Sequence, residues 1–398
     1  MSRAKQADRD RPIDLPSVRT DAFEAPGLAA LRDRPPISRL RYPDGELGWL
    51  VTTRALASAV LVDARFGVVR FKAAPASGEY PDLPAEREEG MRAGAMLSQD
   101  PPEHTRLRRM QMGFLTVSRV SSRRSIVERI VADRIDALES LGSPADLVTD
   151  FAFPVHSATL CELLGFPMSD LAILEHRPQV LRDREVTGLE ARVARREWAD
   201  YVRDAVRQKR TDPGEDMLSE LAATTDLSDD ELVGLGSLLS GTATANMIAM
   251  SIFALLHERQ LSNPQAATSE GIEELLRYVS VFQQGINRKA LEDVELNGVT
   301  IAAGERVTVS LPAVNRDADR YADPDRLDLS RDARGHMAFG SGRHICLGQH
   351  LARLELQVSL TALRQRLPGL RLAVSSDEVP FYNGEHAVYG LHSLPVEW

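Results

Sequence analysis

The spacing of apolar residues predicts helices along most of the chain. Apolar positions recur every three or four residues, as they do on the buried face of a helix. This pattern covers residues 54–62, 126–141, 147–164, 169–184, 190–209 and 228–259, with a short helix at 27–33. Residues 37–42 and 47–51 alternate with a period of two around Pro43-Asp44-Gly45, and residues 294–301 do so around an Asn-Gly turn. Residues 66–98 show neither period and are predicted to form a long loop. We therefore predict a mainly α protein with a smaller β region (α+β).

The longest helical pattern has an unusual middle. It starts at the capping box Ser228-Asp-Asp-Glu231 and continues to about Arg259. The residues from Ser240 to Asn246 are small and hydroxylated, where a core helix would carry Leu or Ile. Small residues let a flat ligand approach the backbone, and a threonine hydroxyl loosens a helix by bonding back to a carbonyl. Close packing against another helix is the plainer interpretation, and it stays open on this pattern alone.

A single cysteine stands in a glycine-rich stretch near the C-terminal end. The stretch is Phe339-Gly-Ser-Gly-Arg-His-Ile-Cys-Leu-Gly348, and a leucine-rich helical pattern follows it. Glycine lets the backbone adopt positive φ and pass close to a ligand. Cys346 precedes the N-terminus of the predicted helix, where unpaired N–H groups and the helix dipole stabilise a thiolate. A lone thiolate suits an iron that four other ligands already hold in a plane, which is haem. The alternative is a buried cysteine in a turn.

This stretch, with the Leu-Ala-Arg that follows it, resembles the haem-binding loop of the cytochrome P450 family position by position. The resemblance implies the cytochrome P450 fold, with a long central helix over the haem and one haem-thiolate catalytic domain over residues 16–398. Residues 1–15 are expected to form a disordered tail. The resemblance also implies that Cys346 is the axial thiolate of haem b. Phe339 would pack against the sulfur side of the haem, and Gly348 would contact the cofactor in the same loop.

The family also suggests which side chains bind the two haem propionates. The matching positions are His104, Arg108, Arg288, His336 and His344. The first two belong to a run from Asp100 that resembles the Asp-Pro-Pro-x-His-x-x-x-Arg pattern of the family. They lie four apart on one face of a predicted helix, and without the resemblance a solvated face is the plainer interpretation. Five donors around two carboxylates suit a buried dianion.

A further resemblance concerns structure and not chemistry. Glu274 and Arg277 lie three apart on one helical face, where they can pair, and they resemble the Glu-x-x-Arg motif of the family. In the family this pair joins an arginine of a later Pro-Asp-Arg segment, which here is Arg326. A planar, always-charged guanidinium suits such a clamp. We expect these three residues to hold the cysteine loop in place and to take no part in the reaction.

The central helix departs from the family pattern. Most members carry an acid followed by a threonine there, and these deliver protons to bound dioxygen. Aligned on Asn246, the chain has Thr242 and Ala243 at the two positions. Aligned on Gly241, it has Ala243 and Thr244. The acid is missing in both alignments, which leaves Thr242, Thr244, water or a substrate hydroxyl to relay protons. An oxidative coupling or ring-forming reaction without oxygen insertion is also compatible with this departure.

Three parts of the chain are expected to contact the substrate. The predicted contacts are Leu239, Ala243 and Thr244 on the central helix, Val281, Phe282 and Ile286 after the Glu-x-x-Arg helix, and Tyr382 and His386 near the C-terminus. The last stretch, Phe381-Tyr-Asn-Gly-Glu-His-Ala-Val388, is polar for a hydrocarbon pocket, which favours a polar natural product of secondary metabolism. A solvated hairpin tip is the alternative.

Composition limits the partners and the location. The 398 residues carry a net charge of −10 without a block of Lys or Arg, which argues against nucleic acid and anionic membranes. The first twelve residues are charged and contain no apolar signal or anchor. Cys161, the other of the two cysteines, lies in an apolar run, so no disulfide framework is expected. We expect a cytoplasmic monomer that binds no membrane.

The resemblance as a whole implies an enzyme, a cytochrome P450 monooxygenase. A thiolate-ligated haem favours O–O cleavage, so the expected reaction hydroxylates or epoxidises a small molecule with O2 as co-substrate. The sequence shows no dinucleotide- or flavin-binding stretch and no cysteine cluster. Electrons would therefore come from a ferredoxin or flavodoxin with an NAD(P)H-dependent reductase. A non-catalytic haem-thiolate binding protein stays open as another class. A peroxide-driven peroxygenase is less favoured, because no arginine occurs from Leu232 to Glu258.

Overall fold

The computed structural model of the protein describes residues 9–14, 23, 28–69, 92–182, 188–241, 243–283, 285–381 and 388–398. The helices are α1 (Leu28–Arg32), α2 (Arg54–Val62), α3 (Glu103–Met112), α4 (Val117–Ser122), α5 (Arg124–Leu141), α6 (Phe153–Leu164), α7 (Leu171–Arg182), α8 (Gly188–Thr211), α9 (Met217–Thr224), α10 (Asp229–Leu239), α11 (Ala243–His257), α12 (Ser269–Val279), α13 (Leu311–Val314) and α14 (Gln349–Arg366). The strands are β1 (Ile13–Asp14), β2 (Ile37–Arg41), β3 (Leu47–Val51), β4 (Phe66–Val68), β5 (Ala145–Asp146), β6 (Ile286–Ala290), β7 (Val294–Leu296), β8 (Val299–Ile301), β9 (Arg306–Val309), β10 (Arg371–Leu372) and β11 (Pro395–Glu397). Helices dominate over a smaller set of strands, which confirms the predicted fold class.

These elements belong to two compact units. The first consists of Met1–Val69, Asn246–Gln349 and Ser359–Trp398, and the second of Arg70–Ala245 and His350–Val358. The single catalytic domain expected over residues 16–398 stays a prediction.

A six-stranded sheet in the order β1-β2-β3-β9-β6-β4 organises the first unit. β2 and β3 form the predicted hairpin, and β9 joins β3 in parallel, with Val307 opposite Trp49. β6 then pairs antiparallel with β9, so that Arg288 lies opposite Val307. The apolar side of this sheet packs against α2 through Val60 and Leu61, which are almost fully buried. The sheet therefore supports α2, the helix that the cysteine loop contacts at Leu61.

Three strands of this sheet, β1, β4 and β6, were not predicted. In β1, Ile13 pairs in parallel with Leu40 of β2, so the expectation of a disordered tail is wrong for residues 13–14. Residues 1–8 of that tail lie outside the described residues. β4 falls in the predicted loop at 66–98, because a three-residue strand is too short to show a period and is fixed by its pairing with β6. Residues 70–91 of that loop are likewise outside the described part.

The second unit is built from helices. Every residue of α6 except Glu162 is buried, since this helix packs against α5, α7 and α9. The amphipathic α8 packs against α7, α9 and α10. The predicted helices at 126–141, 169–184 and 190–209 correspond to α5, α7 and α8 within a few residues. The predicted helix at 147–164 divides into a π-helical turn, Val148–Ala152, followed by α6.

The central helical pattern is interrupted in the structure. The capping box forms at its start, where Ser228 and Glu231 exchange side-chain and backbone hydrogen bonds. α10 then ends at Leu239 and α11 begins at Ala243, so the prediction of one continuous helix is wrong at Gly241. Among the described residues, Asp229–His257 is the one stretch that is long and apolar enough, by length and composition, to cross a membrane. Of its most apolar window 65% is buried inside the protein, as in the core helix of a soluble protein.

Candidate active site

The cysteine loop presents Cys346 on an ordered backbone. The thiol is exposed, and the amide of Cys346 donates a hydrogen bond to the carbonyl of Phe339 (2.9 Å). Within the loop the amide of Gly340 donates to Met337 (2.9 Å) and that of Ile345 donates to Gly342 (3.1 Å). Helix α14 begins at Gln349, and Gly348 is its N-cap. Cys346 therefore lies where a helix N-terminus favours the thiolate over the thiol.

Two glycines fit this loop against its surroundings. Gly340 and Gly342 both have φ of +72°, in the left-handed region that favours glycine. A Cβ on Gly342 would clash with the carbonyl oxygen of Leu61 in α2, and one on Gly340 would lie 3.2 Å from Cδ1 of Ile286 in β6. The loop is therefore in close contact with both elements. At Gly348 a Cβ would meet no heavy atom within 4 Å, so this side of the loop is open.

The Glu-x-x-Arg pair forms a buried clamp in the first unit. Arg277 donates from Nε to Oε2 of Glu274 (2.6 Å) and from Nη2 to Oε1 (2.8 Å), and both side chains are fully buried. Nη1 of the same guanidinium donates to the carbonyls of Asn315 (2.9 Å) and Pro324 (2.8 Å). A planar guanidinium that satisfies all these acceptors ties together segments distant in sequence.

The third arginine of this clamp is Arg331 and not Arg326. Nε of Arg331 lies 3.1 Å from Oε1 of Glu274. Arg326 is exposed and contributes its carbonyl, which lies 3.4 Å from Nη2 of Arg277. The prediction for the Arg326 side chain is therefore wrong, because the chain turns so that its backbone and not its guanidinium faces the clamp.

The clamp reaches the cysteine loop through Asn315, a residue that the sequence did not single out. Its carbonyl accepts from Arg277, and its side-chain oxygen accepts from the amide of Met337 (2.7 Å). Met337 in turn accepts from Gly340 inside the loop. A polar residue directly after the buried apolar run Leu311–Val314 was the available signal. A hydrogen-bonded path thus joins Glu274 to the loop that carries Cys346.

Arg288 and His344, two of the predicted propionate ligands in the first unit, lie on different elements. Arg288 is buried, and it lies two residues from Ile286 on β6, so that both side chains project from the same face of the strand. Ile286 is the residue that approaches Gly340. His344 lies in the short helical turn Gly342–His344 of the cysteine loop and is partly buried. Arg288 thus projects from the side of the sheet that the loop approaches.

His336 is engaged by protein groups at both ring nitrogens. Nδ1 lies 3.1 Å from the amide of Ala338, which donates to it. The ring proton then belongs on Nε2, which lies 3.1 Å from Oε2 of Glu273. In this structure the donor and the acceptor of His336 are both engaged by protein groups, and its contact with a propionate stays a prediction.

The remaining predicted ligands, His104 and Arg108, belong to the second unit. Both lie on α3, four residues apart and so on one face. His104 is buried and Arg108 is partly buried. Their contact with a propionate stays a prediction.

The predicted substrate contacts lie at the ends of elements. Leu239 closes α10, and Ala243 and Thr244 open α11, all three partly buried. Val281 is buried, and its carbonyl accepts from the amide of Tyr389 (2.6 Å). Phe282 forms a β-bridge with Val388 and, like Ile286, packs on the sheet core. Thr242, Tyr382 and His386 lie outside the described residues.

Comparison with known proteins decides the family. Residues 267–380 match the family model described as Cytochrome P450. Cytochrome P450 105C1 of a Streptomyces species is 42% identical over 404 residues, which cover 97% of this chain and 99% of that protein. This chain belongs to the cytochrome P450 family. Nocardicin C N-oxygenase of Nocardia uniformis subsp. tsuyamanensis, a second relative, is 40% identical over 386 residues, covering 94% of this chain and 95% of that protein.

A solved structure agrees with the cytochrome P450 assignment. Mycinamicin VIII C21 methyl hydroxylase MycCI from Micromonospora griseorubida, bound to mycinamicin VIII, matches with a TM-score of 0.86 at 32% identity. The match covers 97% of this chain and all of that one. As a cytochrome P450, the protein is an oxidoreductase that uses haem with a cysteine-thiolate ligand and O2 as co-substrate.

The two cysteines of this cytochrome P450 differ in how well each could serve as the thiolate ligand of the haem. Burial, with the nearby carboxylates of Asp170 and Glu162, raises the pKa of Cys161 to about 12, so that this group stays a thiol. Cys346 is exposed before a helix N-terminus, and the nearby Gly348 borders open space. The residues present therefore fit a thiolate-ligated haem at Cys346.

Proposed function

We propose that Cys346 is the haem ligand and that the enzyme is a monooxygenase that hydroxylates or epoxidises a small natural product. The observation that carries the proposal is the exposed thiol of Cys346, which the hydrogen bond to Phe339 fixes ahead of α14. The names of two relatives support oxygen insertion into a small molecule, since one is a nocardicin C N-oxygenase and the other is a C21 methyl hydroxylase bound to mycinamicin VIII. Secondary metabolism is therefore the proposed setting.

The chain's own residues would hold the cofactor by charge and by shape. His104, Arg108, Arg288 and His344 would donate hydrogen bonds to the propionates, which need paired donors when buried. Phe339 would pack beside the sulfur, and Gly348 would leave space for the ring. Bound haem with a thiolate ligand supplies the activation of O2.

Proton supply would depend on hydroxyl groups at the interruption of the central helix. Thr244 lies in the first turn of α11, where no carboxylate occurs from Ser240 to Asn246. Its Oγ1 would accept a proton from water and pass it on, and Thr242 is the second candidate for this step. The proposed substrate contacts remain those of the sequence: Leu239, Ala243 and Thr244, then Val281, Phe282 and Ile286, and finally Tyr382 and His386.

We propose that a ferredoxin or flavodoxin, reduced by an NAD(P)H-dependent reductase, supplies the electrons. We further propose that the enzyme works in the cytoplasm as a monomer.

A spectral screen tests the proposed substrate class. The haem-loaded protein is titrated with a set of polyketide, macrolide and peptide-like compounds and with a matched set of fatty acids, and the shift to high spin is recorded. We expect tight shifts from members of the polar set. Tight shifts from plain fatty acids alone would contradict the proposal. Product analysis with isotopically labelled O2 then tests the reaction, since a coupled or ring-closed product without label would contradict oxygen insertion.

A further inference from the structure

A buried pair, His156 and Glu355, contacts the central helix at its interruption. Nδ1 of His156, on α6, is 3.0 Å from Oε2 of Glu355, on α14. The other ring nitrogen, Nε2, is 2.9 Å from the carbonyl oxygen of Gly241. The side chain of His156 is 8% exposed and that of Glu355 is fully buried. All three residues belong to the second unit.

This geometry requires a shared proton. A carbonyl oxygen only accepts, so Nε2 of His156 carries a hydrogen that it donates to Gly241. The contact between Nδ1 and Oε2 then needs one more proton, held by either partner. Burial raises the pKa of Glu355, although His156 opposes the rise. Burial would lower the pKa of His156, but the Glu355 carboxylate and the Gly241 carbonyl outweigh it, and the pKa is raised.

The two pKa shifts arise from burial, from the two side chains acting on each other and from the Gly241 carbonyl. Three carboxylates on α6 and on the segments near it have partners of their own. These partnerships are Glu162 with Arg129 (3.3 Å), Asp170 with Tyr201 (3.0 Å) and Asp216 with Lys209 (2.7 Å). The second carboxylate oxygen of Glu355, Oε1, is buried and has no hydrogen-bond partner among the described residues. Glu355 therefore depends on His156 for its compensation.

The carbonyl that His156 binds lies between α10 and α11. The amide of Ser240 still donates to Gly236 (3.1 Å), but that of Gly241 donates to Leu238 (3.2 Å) in a tighter turn. In a continuous α-helix the carbonyl of Gly241 would accept from the amide of residue 245. A side chain that binds such a carbonyl competes with the helical hydrogen bond and is a known cause of helix interruption.

We propose that His156 is a positioning residue that keeps the central helix open at Gly241, and that Glu355, which shares a proton with Nδ1, holds the ring in the orientation that directs Nε2 at the Gly241 carbonyl. The interruption lies three residues before Thr244, the proposed proton-relaying residue. The structural part of this inference stands on the contacts above, and its consequence for oxygen chemistry rests on the proposed function. A variant with apolar residues at positions 156 and 355 should therefore fold, but its central helix should become continuous through Gly241.

Amide hydrogen exchange in the haem-loaded protein tests the structural part. The double variant His156→Phe, Glu355→Leu replaces the buried pair by apolar groups of similar size, a change that buried ion pairs often tolerate. If the helix closes, the amides of residues 243–245 gain helical acceptors, and their exchange slows by about tenfold or more. Unchanged or faster exchange at these amides would overturn the proposal.

A control and a second variant separate this effect from general destabilisation. Lys209→Met removes a partner of Asp216, in another buried pair of the same unit that does not contact Gly241. It should leave exchange at residues 243–245 within about twofold of wild type, since distant sites act independently. Glu355→Gln preserves the hydrogen bonds, because the amide donates to Nδ1 while Nε2 still donates to Gly241. It should keep the interruption open, and slowed exchange in this variant would count against the proposed geometry.

The pH dependence tests the shared proton. A group whose pKa is raised on folding contributes stability that is complete below its unfolded value, 6.5 for histidine, and lost as pH rises through its folded value. The Tm advantage of wild type over Glu355→Gln should therefore be largest near about pH 6 and shrink towards about pH 9. A difference that does not change with pH would refute the shared proton.

The coupling of NAD(P)H consumption to substrate oxidation tests the functional part separately. With generic redox partners and a substrate from the spectral screen, the double variant should release more peroxide per NAD(P)H consumed, by about fivefold or more, whereas Lys209→Met should match wild type. Slowed exchange with unchanged coupling would leave the role of His156 in the helix intact and would overturn its link to the proposed function.

Discussion

The amide nitrogen of Cys346 lies 2.9 Å from the carbonyl oxygen of Phe339, and this bond closes the glycine-rich stretch into a ring of backbone. The ring holds the thiol by main-chain geometry, so the side chains between the two residues are free to serve other purposes. Gly340 and Gly342 let the ring lie against β6 and α2. The backbone position from which the thiol projects is fixed in this way.

The first prediction concerns the identity of the ligand. Replacing Cys346 by Ala should abolish the red-shifted Soret band of the reduced protein with carbon monoxide, because only thiolate ligation produces that shift. The measurement is a reduced-CO difference spectrum of purified protein. Cys161→Ser is the matched control and should retain the band, since its thiol is buried and protonated. A red-shifted band in the Cys346 variant would contradict the assignment.

The second prediction concerns the loop backbone. Gly342→Ala would add both left-handed strain and a clash with the carbonyl of Leu61. Gly298→Ala has a similar φ of +69° but meets no atom within 4 Å, so it reports the strain alone. The unfolding free energy of Gly342→Ala should fall by at least about 2 kcal/mol more than that of Gly298→Ala. Gly342→Ala should also retain less haem. Equal losses in chemical denaturation would show that the contact with α2 does not matter.

The sequence predicted those features that depend on neighbours along the chain. The apolar spacing of residues 54–62 predicted α2 at its observed bounds, and Asn297-Gly298 predicted the turn between β7 and β8. β4 was missed because its pairing with β6, more than 200 residues away, defines it and no local period does. Local pattern is therefore a good guide to amphipathic helices and tight turns.

Parts of the site depend on contacts that spacing does not encode. The sequence contains several arginines after Asp323, and only the path of the chain decides that Arg331 and not Arg326 reaches Glu274. The interruption of the central helix depends in the same way on His156, 85 residues before Gly241. His336 was assigned to a propionate by resemblance, although its own neighbours satisfy both ring nitrogens.

The third prediction concerns the buried clamp. Glu274→Ala leaves the guanidinium of Arg277 uncompensated in the core, which should cost about 3–5 kcal/mol of unfolding free energy. Purified variant protein should be poorly folded and low in haem, measured by denaturant titration and by the ratio of Soret to protein absorbance. Glu162→Ala breaks a surface pair with Arg129 and should cost less than about 1 kcal/mol. A stable, fully haem-loaded but inactive Glu274 variant would instead indicate a catalytic role.

The fourth prediction separates the two candidate arginines. Arg331→Ala removes a charged donor from Oε1 of Glu274, whereas Arg326→Ala leaves the carbonyl contact of that residue unchanged. The first should lower the unfolding free energy by about 2 kcal/mol, and the second by less than about 0.5 kcal/mol. Urea denaturation of the two variants in parallel provides the measurement. The reverse order would restore the original assignment to Arg326.

The last prediction concerns acid stability and depends on Glu305. Its Oε1 accepts from Arg39 (2.7 Å) and its Oε2 from the indole of Trp49 (2.8 Å) and the amide of Ala302 (2.9 Å). Burial would raise the pKa of Glu305, but these hydrogen bonds, with that of Arg39 foremost, outweigh it and lower the pKa. A carboxyl whose pKa is lowered on folding contributes stability that is present above its unfolded value of 4.5 and lost as pH falls through the folded value.

Wild type should therefore lose Tm more steeply than Glu305→Gln as pH falls below about 4.5, because only wild type has this carboxylate to protonate. Trp49→Phe removes one of the three donors and should give an intermediate slope, although its packing change lowers Tm at every pH. Thermal unfolding followed by circular dichroism across this range measures the slopes. Parallel curves for wild type and Glu305→Gln would show that the strand junction at Glu305 makes no contribution to acid sensitivity, and the explanation would then have to move to carboxylates elsewhere in the chain.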